Sequence, residues 1–114
     1  MIESTISIIN VANLSIGLDF YKNVLRFAKD WETEVDFDKI AGISRDGCSI
    51  YLCEGKQGAS GSWLWIGVES AEYFDQVIAY GATVLQQATN YPWAYELRVQ
   101  DPDGNVIRLG TGRI

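Results

Sequence analysis

Hydrophobic and polar side chains alternate with a period of two along most of the chain, which is typical of β-strands with one buried face. Two segments have a period of about 3.6 instead and are predicted to be helices. The first begins at a cap formed by Asn13 or Ser15 and ends near Arg26, and the second covers residues 70–80 and ends at Gly81. Strands are predicted at residues 5–11, 31–37, 40–45, 48–53, 63–68, 82–88, 93–100 and 105–110.

The predicted order, one strand, one helix and three strands, occurs twice. The hairpin turns at Asp46-Gly47 and at residues 101–104 (DPDG) occupy equivalent places in the two halves. We therefore predict one α+β domain over residues 1–114, made of two βαβββ repeats at 1–54 and 63–114. Residues 55–62 (GKQGASGS) are rich in Gly and Ser and are predicted to form a flexible connector.

The composition is that of a globular domain, with 47% hydrophobic and 21% charged residues. Nine basic against fifteen acidic residues give a net charge of -6, so neither nucleic acid nor an anionic membrane is an expected partner. The acidic residues of one alternating segment, Glu32, Glu34, Asp36 and Asp38, are predicted to form a solvated strand face. The chain has no histidine, which excludes a Ser-His-Asp triad, a histidine general base and any histidine-containing metal site.

The two cysteines, Cys48 and Cys53, lie at an odd spacing on one predicted strand. Their side chains therefore point to opposite faces and cannot form a disulfide with each other. The N-terminal residues do not have the pattern of a secretory signal, and no apolar run has the length of a membrane helix. These features predict a protein of the reducing cytoplasm.

Two motifs resemble those of the vicinal oxygen chelate superfamily, which contains glyoxalases, bleomycin resistance proteins and extradiol dioxygenases. Residues 13–14 (NL), 20–21 (FY) and 24–27 (VLRF) resemble its "DL…FY…LGF" pattern. Residues 101–109 (DPDGNVIRL) resemble its "DPDGNxxEL" pattern. The resemblance covers the whole chain and implies the glyoxalase/bleomycin resistance fold, in which curled mixed sheets form a cup around a metal or ligand.

The four metal-ligand positions of that superfamily fall, by the resemblance, on Ile6, Tyr51, Trp63 and Arg108. Isoleucine and tryptophan offer no lone pair suited to a divalent ion, and arginine adds a fixed positive charge. The resemblance therefore implies a chain with no metal and no cofactor. It argues against glyoxalase, dioxygenase and thiol-transferase activities, which use the metal as a Lewis acid.

Residues 92–105 (PWAYELRVQDPDGN) are similar to the "PWG…E…DPDGN" segment of the metal-free branch, with Ala94 where that branch has Gly. Bleomycin resistance proteins are the leading members of that branch. They are dimers whose cups lie between subunits and hold a large, cationic, partly aromatic drug without chemical change. The resemblance implies a homodimer that sequesters a small organic ligand of this cationic aromatic kind.

Strand parity predicts which side chains face the cup. On residues 63–68 the aliphatic side chains of Leu64, Ile66 and Val68 are expected to pack on a helix, which leaves Trp63 and Trp65 for the cup. The same argument applied to the neighbouring strands, together with Trp93 from the segment at 92–105, gives the predicted ligand-binding set: Tyr51, Trp63, Trp65, Trp93, Glu96, Arg98 and Arg108. Aromatic rings offer stacking and cation–π surfaces to a planar ligand.

Three interpretations remain open from the sequence. The first is a metal-independent protein that binds and sequesters an antibiotic. The second is a metal-free enzyme in which Glu96 is the acid–base group and Arg98 or Arg108 stabilises an oxyanion. The third is a structural or regulatory dimer whose cup is filled by its own side chains, with the tryptophans in the core and Arg108 serving only to neutralise Glu96.

Overall fold

The computed structural model describes residues 1–113. The chain divides into two compact units, a first unit Met1–Ser60 and a second unit that begins at Gly61. The first unit contains β1 (Ser7–Asn10), α1 (Leu14–Asn23), β2 (Ala28–Val35), β3 (Asp38–Arg45) and β4 (Cys48–Glu54). The second contains β5 (Trp63–Gly67), α2 (Glu72–Ala79), β6 (Thr83–Asn90), β7 (Tyr95–Gln100) and β8 (Val106–Thr111).

Each unit is built on one four-stranded mixed sheet, with the strand orders β1-β4-β3-β2 and β5-β8-β7-β6. The first strand of each unit pairs in parallel with the last one, and the remaining pairs are antiparallel. The predicted α+β class with two βαβββ repeats is confirmed. Within residues 1–113, no helix combines the length and apolar character needed to cross a bilayer.

Helix α1 begins where two side chains satisfy its first backbone N–H groups. Asn13 caps it by accepting a hydrogen bond from the Ile16 amide at 3.0 Å, and Glu54 accepts one from the Leu14 amide at 2.8 Å. Because Glu54 ends β4, this bond fixes the helix to the sheet. The buried core of the unit comes from one face of α1 and from alternate strand positions: Ile9, Leu14, Leu18, Tyr21, Ala41, Ile43, Ile50 and Leu52.

The core of the second unit follows the predicted strand parity. The side chains of Leu97, Val99, Ile107 and Leu109 are fully buried, together with Phe74 and Val77 of α2. The ring of Phe74 stacks on Tyr95 with centroids 5.6 Å apart. Leu64, Ile66 and Val68, which were expected in the core, are only half-buried.

The acidic segment departs from its prediction at its end. Strand β2 stops at Val35, and Asp36 and Phe37 turn the chain with φ angles of 50° and 70°. Asp38 then starts β3 as a buried residue whose Oδ1 accepts a hydrogen bond from the Lys56 amide at 3.2 Å. The expectation that Asp38 belongs to a solvated face is therefore wrong, because the turn changes the alternation of the strand.

The DPDGN motif shapes the hairpin between β7 and β8. Asp101 is buried and accepts hydrogen bonds through Oδ1 from the amides of Asp103 and Asn105, both at 2.9 Å. Asn105 in turn accepts one from the Ser62 amide at 2.9 Å, next to the start of β5. The motif thereby sets the register in which β8 lies between β5 and β7.

Candidate functional site

The register of the second sheet brings three predicted site residues into one row across three strands. Trp65 of β5 lies opposite Arg108 of β8, which lies opposite Arg98 of β7. Side chains of residues directly opposite each other project from the same face of a sheet. Glu96 is two residues before Arg98 and projects from that face too.

Glu96 is the centre of this arrangement and is fully buried. Its Oε2 accepts hydrogen bonds from Arg98 Nε at 2.7 Å and Arg108 Nε at 2.8 Å. Its Oε1 accepts from Arg108 Nη2 and from the indole Nε1 of Trp93, each at 2.9 Å. Both carboxylate oxygens are thus occupied, and the bond with Arg108 is the two-point kind that fixes a guanidinium in its plane.

These donors change the acidity of the carboxyl group. The hydrogen bonds from Arg108 lower the pKa of Glu96 to about 2, with smaller contributions from Trp93 and Arg98, although burial acts in the opposite direction. The same contact with Glu96 raises the pKa of Arg108 above its ordinary value. Glu96 is therefore a permanent anion at neutral pH.

Aromatic rings lie beside both guanidinium groups. The Cζ atom of Arg108 is 5.1 Å from the ring centroid of Trp65, and that of Arg98 is 5.7 Å from Trp63 and 5.2 Å from Tyr91. Contacts of this length are cation–π interactions. The ring of Tyr91 also stacks on Trp93, with centroids 4.8 Å apart and planes 7° from parallel.

Charged and aromatic side chains therefore form one continuous network, which we call the tryptophan–arginine cluster. It consists of Trp63, Trp65, Tyr91, Trp93, Glu96, Arg98 and Arg108. Its tryptophans keep much of their surface in solvent: Trp63 is 61%, Trp65 46% and Trp93 57% exposed. Six of the seven predicted site residues belong to this cluster.

The seventh predicted residue, Tyr51, lies in the first unit. It is half-buried on β4 and meets Trp31 edge to face, with ring centroids 4.9 Å apart. Register places both on one face of the first sheet, in the row Ile8, Tyr51, Gly42 and Trp31. The structure thus brings Tyr51 together with Trp31, a residue that the sequence analysis did not select.

Two aromatic residues were missed for different reasons. Trp31 faces Tyr51 only because β2 has an irregularity between Lys29 and Trp31, which shifts its register against β3. No sequence signal gives that shift. Tyr91 precedes the Pro92-Trp93 pair, and its closeness to the selected Trp93 was an available signal.

The two positions of this cluster that the resemblance assigns to metal ligands do not fit a metal. Arg108 directs Nε and Nη2 at Glu96, and Trp63 presents an exposed indole ring. Neither group can donate a lone pair to a cation. Over residues 1–113, histidine, cysteine and carboxylate side chains nowhere gather in threes at a spacing that would hold a metal ion.

No protein-family model matches the chain, and no curated protein matches it. Solved structures do resemble it. TnmS3, an antibiotic binding protein from Streptomyces sp. CB03234, has a TM-score of 0.86 and 19% identity over 98% of this chain and 97% of its own. A glyoxylase/bleomycin resistance protein/dioxygenase domain from Frankia sp. EAN1pec has a TM-score of 0.82 and 22% identity over 96% and 90%.

The genomically encoded fosfomycin resistance protein FosX from Listeria monocytogenes also resembles the chain. It has a TM-score of 0.77 and 16% identity over 100% of this chain and 97% of its own. The likeness extends over nearly the full length of all three proteins, and it agrees with the two four-stranded sheets and two helices of this chain. The chain has the glyoxalase/bleomycin resistance fold.

Proposed function

We propose that this chain is a metal-independent binding protein that holds a small organic ligand on the tryptophan–arginine cluster. The observation that carries the proposal is the exposure of three tryptophans around Glu96, whose two carboxylate oxygens already accept four hydrogen bonds. Large exposed aromatic surface on a small domain is a mark of a binding site. A planar ligand gains stacking area on these indoles without disturbing the core.

The cluster is also organised in advance of binding. Glu96 holds both arginines, and the rings of Trp63, Trp65 and Tyr91 lie against the guanidinium groups. Side chains that are already ordered lose little further freedom when a ligand arrives, which favours affinity. Such a site suits sequestration, because a sequestering protein only has to bind its ligand tightly.

The likeness to TnmS3 supports the same proposal. That protein is an antibiotic binding protein, and its fold covers 98% of this chain. We propose an antibiotic or a related planar natural product as the ligand and sequestration as the role.

The enzyme alternative asks Glu96 to exchange a proton during catalysis. A general acid or base works best with a pKa near the working pH and with a free oxygen aimed at the substrate. The pKa of Glu96 is about 2, and both of its oxygens already accept hydrogen bonds. These properties favour binding over catalysis by this residue.

A thermal-shift screen against aromatic antibiotics, run in the presence of a chelator, tests the proposal. A ligand at 100 times its dissociation constant stabilises the folded chain by about 2.7 kcal/mol. The bound ligand should also change the tryptophan fluorescence. We expect the hit to be unaffected by the chelator, and a hit that needs added metal contradicts the proposal.

Trp65→Ala then locates the site. We expect the variant to weaken binding by about 0.5–1.5 kcal/mol beyond the lost contact area. It should not suffer the loss of about 3–5 kcal/mol in stability that follows truncation of a fully packed tryptophan. The matched control is Phe37→Ala, which removes another exposed aromatic ring, 93% exposed, from the first unit. A Trp65→Ala protein that is severely destabilised but binds normally would favour a purely structural cluster.

A further inference from the structure

We infer that the tryptophan–arginine cluster selects planar aromatic ligands that carry an anionic oxygen group, such as a carboxylate, over cationic ones. This inference rests on the ligand-binding function proposed above and names the class of ligand. It departs from the cationic drug that the resemblance to bleomycin resistance proteins implies. Three observations on the cluster carry it.

The first observation is the distribution of charge between buried and exposed atoms. The cluster has two arginines and one glutamate, which leaves one net positive charge. The Glu96 side chain is 0% exposed, whereas Arg98 is 23% and Arg108 29% exposed. A ligand that reaches the cluster therefore touches positive groups and never the carboxylate.

The second observation concerns the hydrogen-bond donors. An arginine has five N–H groups. Arg98 uses only Nε on Glu96, and Arg108 uses Nε and Nη2. Both terminal nitrogens of Arg98 and Nη1 of Arg108 have no hydrogen-bond acceptor among residues 1–113. These donors match the paired oxygens of a carboxylate, while both oxygens of the cluster's single carboxylate are already engaged and are not open to a ligand ammonium group.

The third observation is that the free donors lie beside exposed ring surface. The Arg98 guanidinium lies within cation–π distance of the rings of Trp63 and Tyr91, and that of Arg108 lies over Trp65. Each guanidinium covers only part of its neighbouring indole, since Trp63 is 61% and Trp65 46% exposed. A ligand ring stacked on the remaining indole surface has a guanidinium at its edge, which is where an acidic substituent projects.

The charge of the whole chain acts in the opposite sense. A net charge of -6 attracts cations from a distance. That attraction is screened beyond about 8 Å at physiological ionic strength. Contacts made inside the cluster are screened much less, so the two guanidinium groups decide which ligand stays bound.

The test compares three probes of one shape: anthracene-2-carboxylate, the neutral anthracene-2-carboxamide and the cationic anthracen-2-ylmethylammonium. Their dissociation constants are measured by calorimetry on the intact chain near neutral pH. We expect the carboxylate to bind at least about tenfold more tightly than the cation, which corresponds to about 1.4 kcal/mol. The carboxamide should fall between them.

Arg98→Gln tests whether the preference for the carboxylate probe arises from the cluster. The variant leaves Glu96 with its bonds to Arg108 and Trp93, so the buried carboxylate keeps charged and neutral donors. We expect it to weaken carboxylate binding by about tenfold and carboxamide binding by less, because the neutral amide loses no charge-assisted hydrogen bond. Arg113→Gln is the matched control, since it removes the same charge from an exposed position of the same unit. If Arg98→Gln fails to fold, Arg98→Lys keeps the charge and should keep the preference for the carboxylate.

The outcomes separate this inference from the proposed function. If the cation or the amide binds as tightly as the carboxylate, selection for anions is wrong while ligand binding stands. Equal losses in Arg98→Gln and Arg113→Gln overturn it as well, because the effect is then one of net charge. If no probe binds at millimolar concentration, both the binding function and the selection fail.

Discussion

Glu96 lies on β7 between the half-buried Tyr95 and the buried Leu97, and its own side chain is fully buried. A buried carboxylate is stable only when its charge and its lone pairs are satisfied. Two arginines and one indole do this here, with all four bonds at 2.7–2.9 Å. The arginines are held in place by the same bonds, so the stability of the sheet and the geometry of the cluster depend on one residue.

The free energy of unfolding should consequently fall at low pH, and Glu96 should account for part of that fall. The pKa of Glu96 falls from an ordinary 4.5 to about 2 on folding, so its contribution is complete above pH 4.5 and is lost as the pH falls towards 2. The lowered pKa means that the folded state favours the carboxylate anion more than the unfolded state does, which raises the free energy of unfolding at neutral pH. Urea unfolding of Glu96→Gln across this pH window should show a shallower decline than the parent. Glu3→Gln, which changes an exposed carboxyl, should follow the parent, and identical declines in all three proteins would contradict the assignment.

Much of the cluster could be predicted from parity alone. Alternation of aliphatic and other residues placed Trp63, Trp65 and Arg108 on one face, and register confirms that Trp65, Arg108 and Arg98 share it. Parity does not say which groups touch. The bond from Trp93 to Glu96 depends on the bend at residues 91–94, and no rule of alternation extends across a bend.

Strand β8 carries Arg108, which joins Glu96 to Trp65 within the cluster. It lies in the interior of its sheet, between β5 and β7, and carries Arg108 and Gly110 on the face of the cluster. Gly110 leaves the space into which the Trp65 ring extends, and a Cβ there would collide with that ring. A glycine in a strand interior often marks such a close approach.

Gly110→Ala should therefore move Trp65 away from Arg108. Only the far end of the indole collides, so the ring can swing out and the loss of stability should stay near the cation–π contribution of about 0.5–1 kcal/mol. In a proton–nitrogen NMR spectrum the indole N–H signal of Trp65 should shift clearly. Gly112→Ala, where a Cβ meets nothing within 4 Å, is the control and should leave that signal in place.

Hairpins were the elements that local sequence predicted best. The Asp46-Gly47 and DPDG motifs correctly predicted the turns between β3 and β4 and between β7 and β8. The start of β2 at Ala28, three residues before the predicted strand, could not be read, because that end is stabilised by pairing of Ala28 with Ser44 rather than by its own alternation.

At the scale of the whole molecule, each unit covers one face of its sheet with one helix. The other face carries large side chains that stay partly in solvent, among them Ile8 at 38% and Trp31 at 39% in the first unit. Trp63 and Trp65 occupy the corresponding face of the second unit. One helix can cover only one face of a sheet. The apolar side chains on the other face remain partly exposed, so we expect that face to be buried by further association.

We expect the chain to form a homodimer in solution. Light scattering at micromolar concentration should give twice the mass of the monomer. The dimer should persist in Phe37→Ala, which alters only an exposed turn. A mass that stays at the monomer value over the whole concentration range would refute the expectation.

The parallel pairing of β5 with β8 also means that β5 is synthesised well before the strand with which it pairs. Trp63 leaves the ribosome long before its partner Val106, by several seconds at about 5–20 residues per second. The hairpin of β7 and β8 can close within about 10 μs once both strands exist, so translation and not folding sets this delay. In that interval β5 has no strand to pair with, and Arg108, which anchors Glu96, has not yet been made. A nascent chain therefore lacks the guanidinium that makes two of the four hydrogen bonds to Glu96 until β8 has been made, so the tryptophan–arginine cluster cannot form before that point.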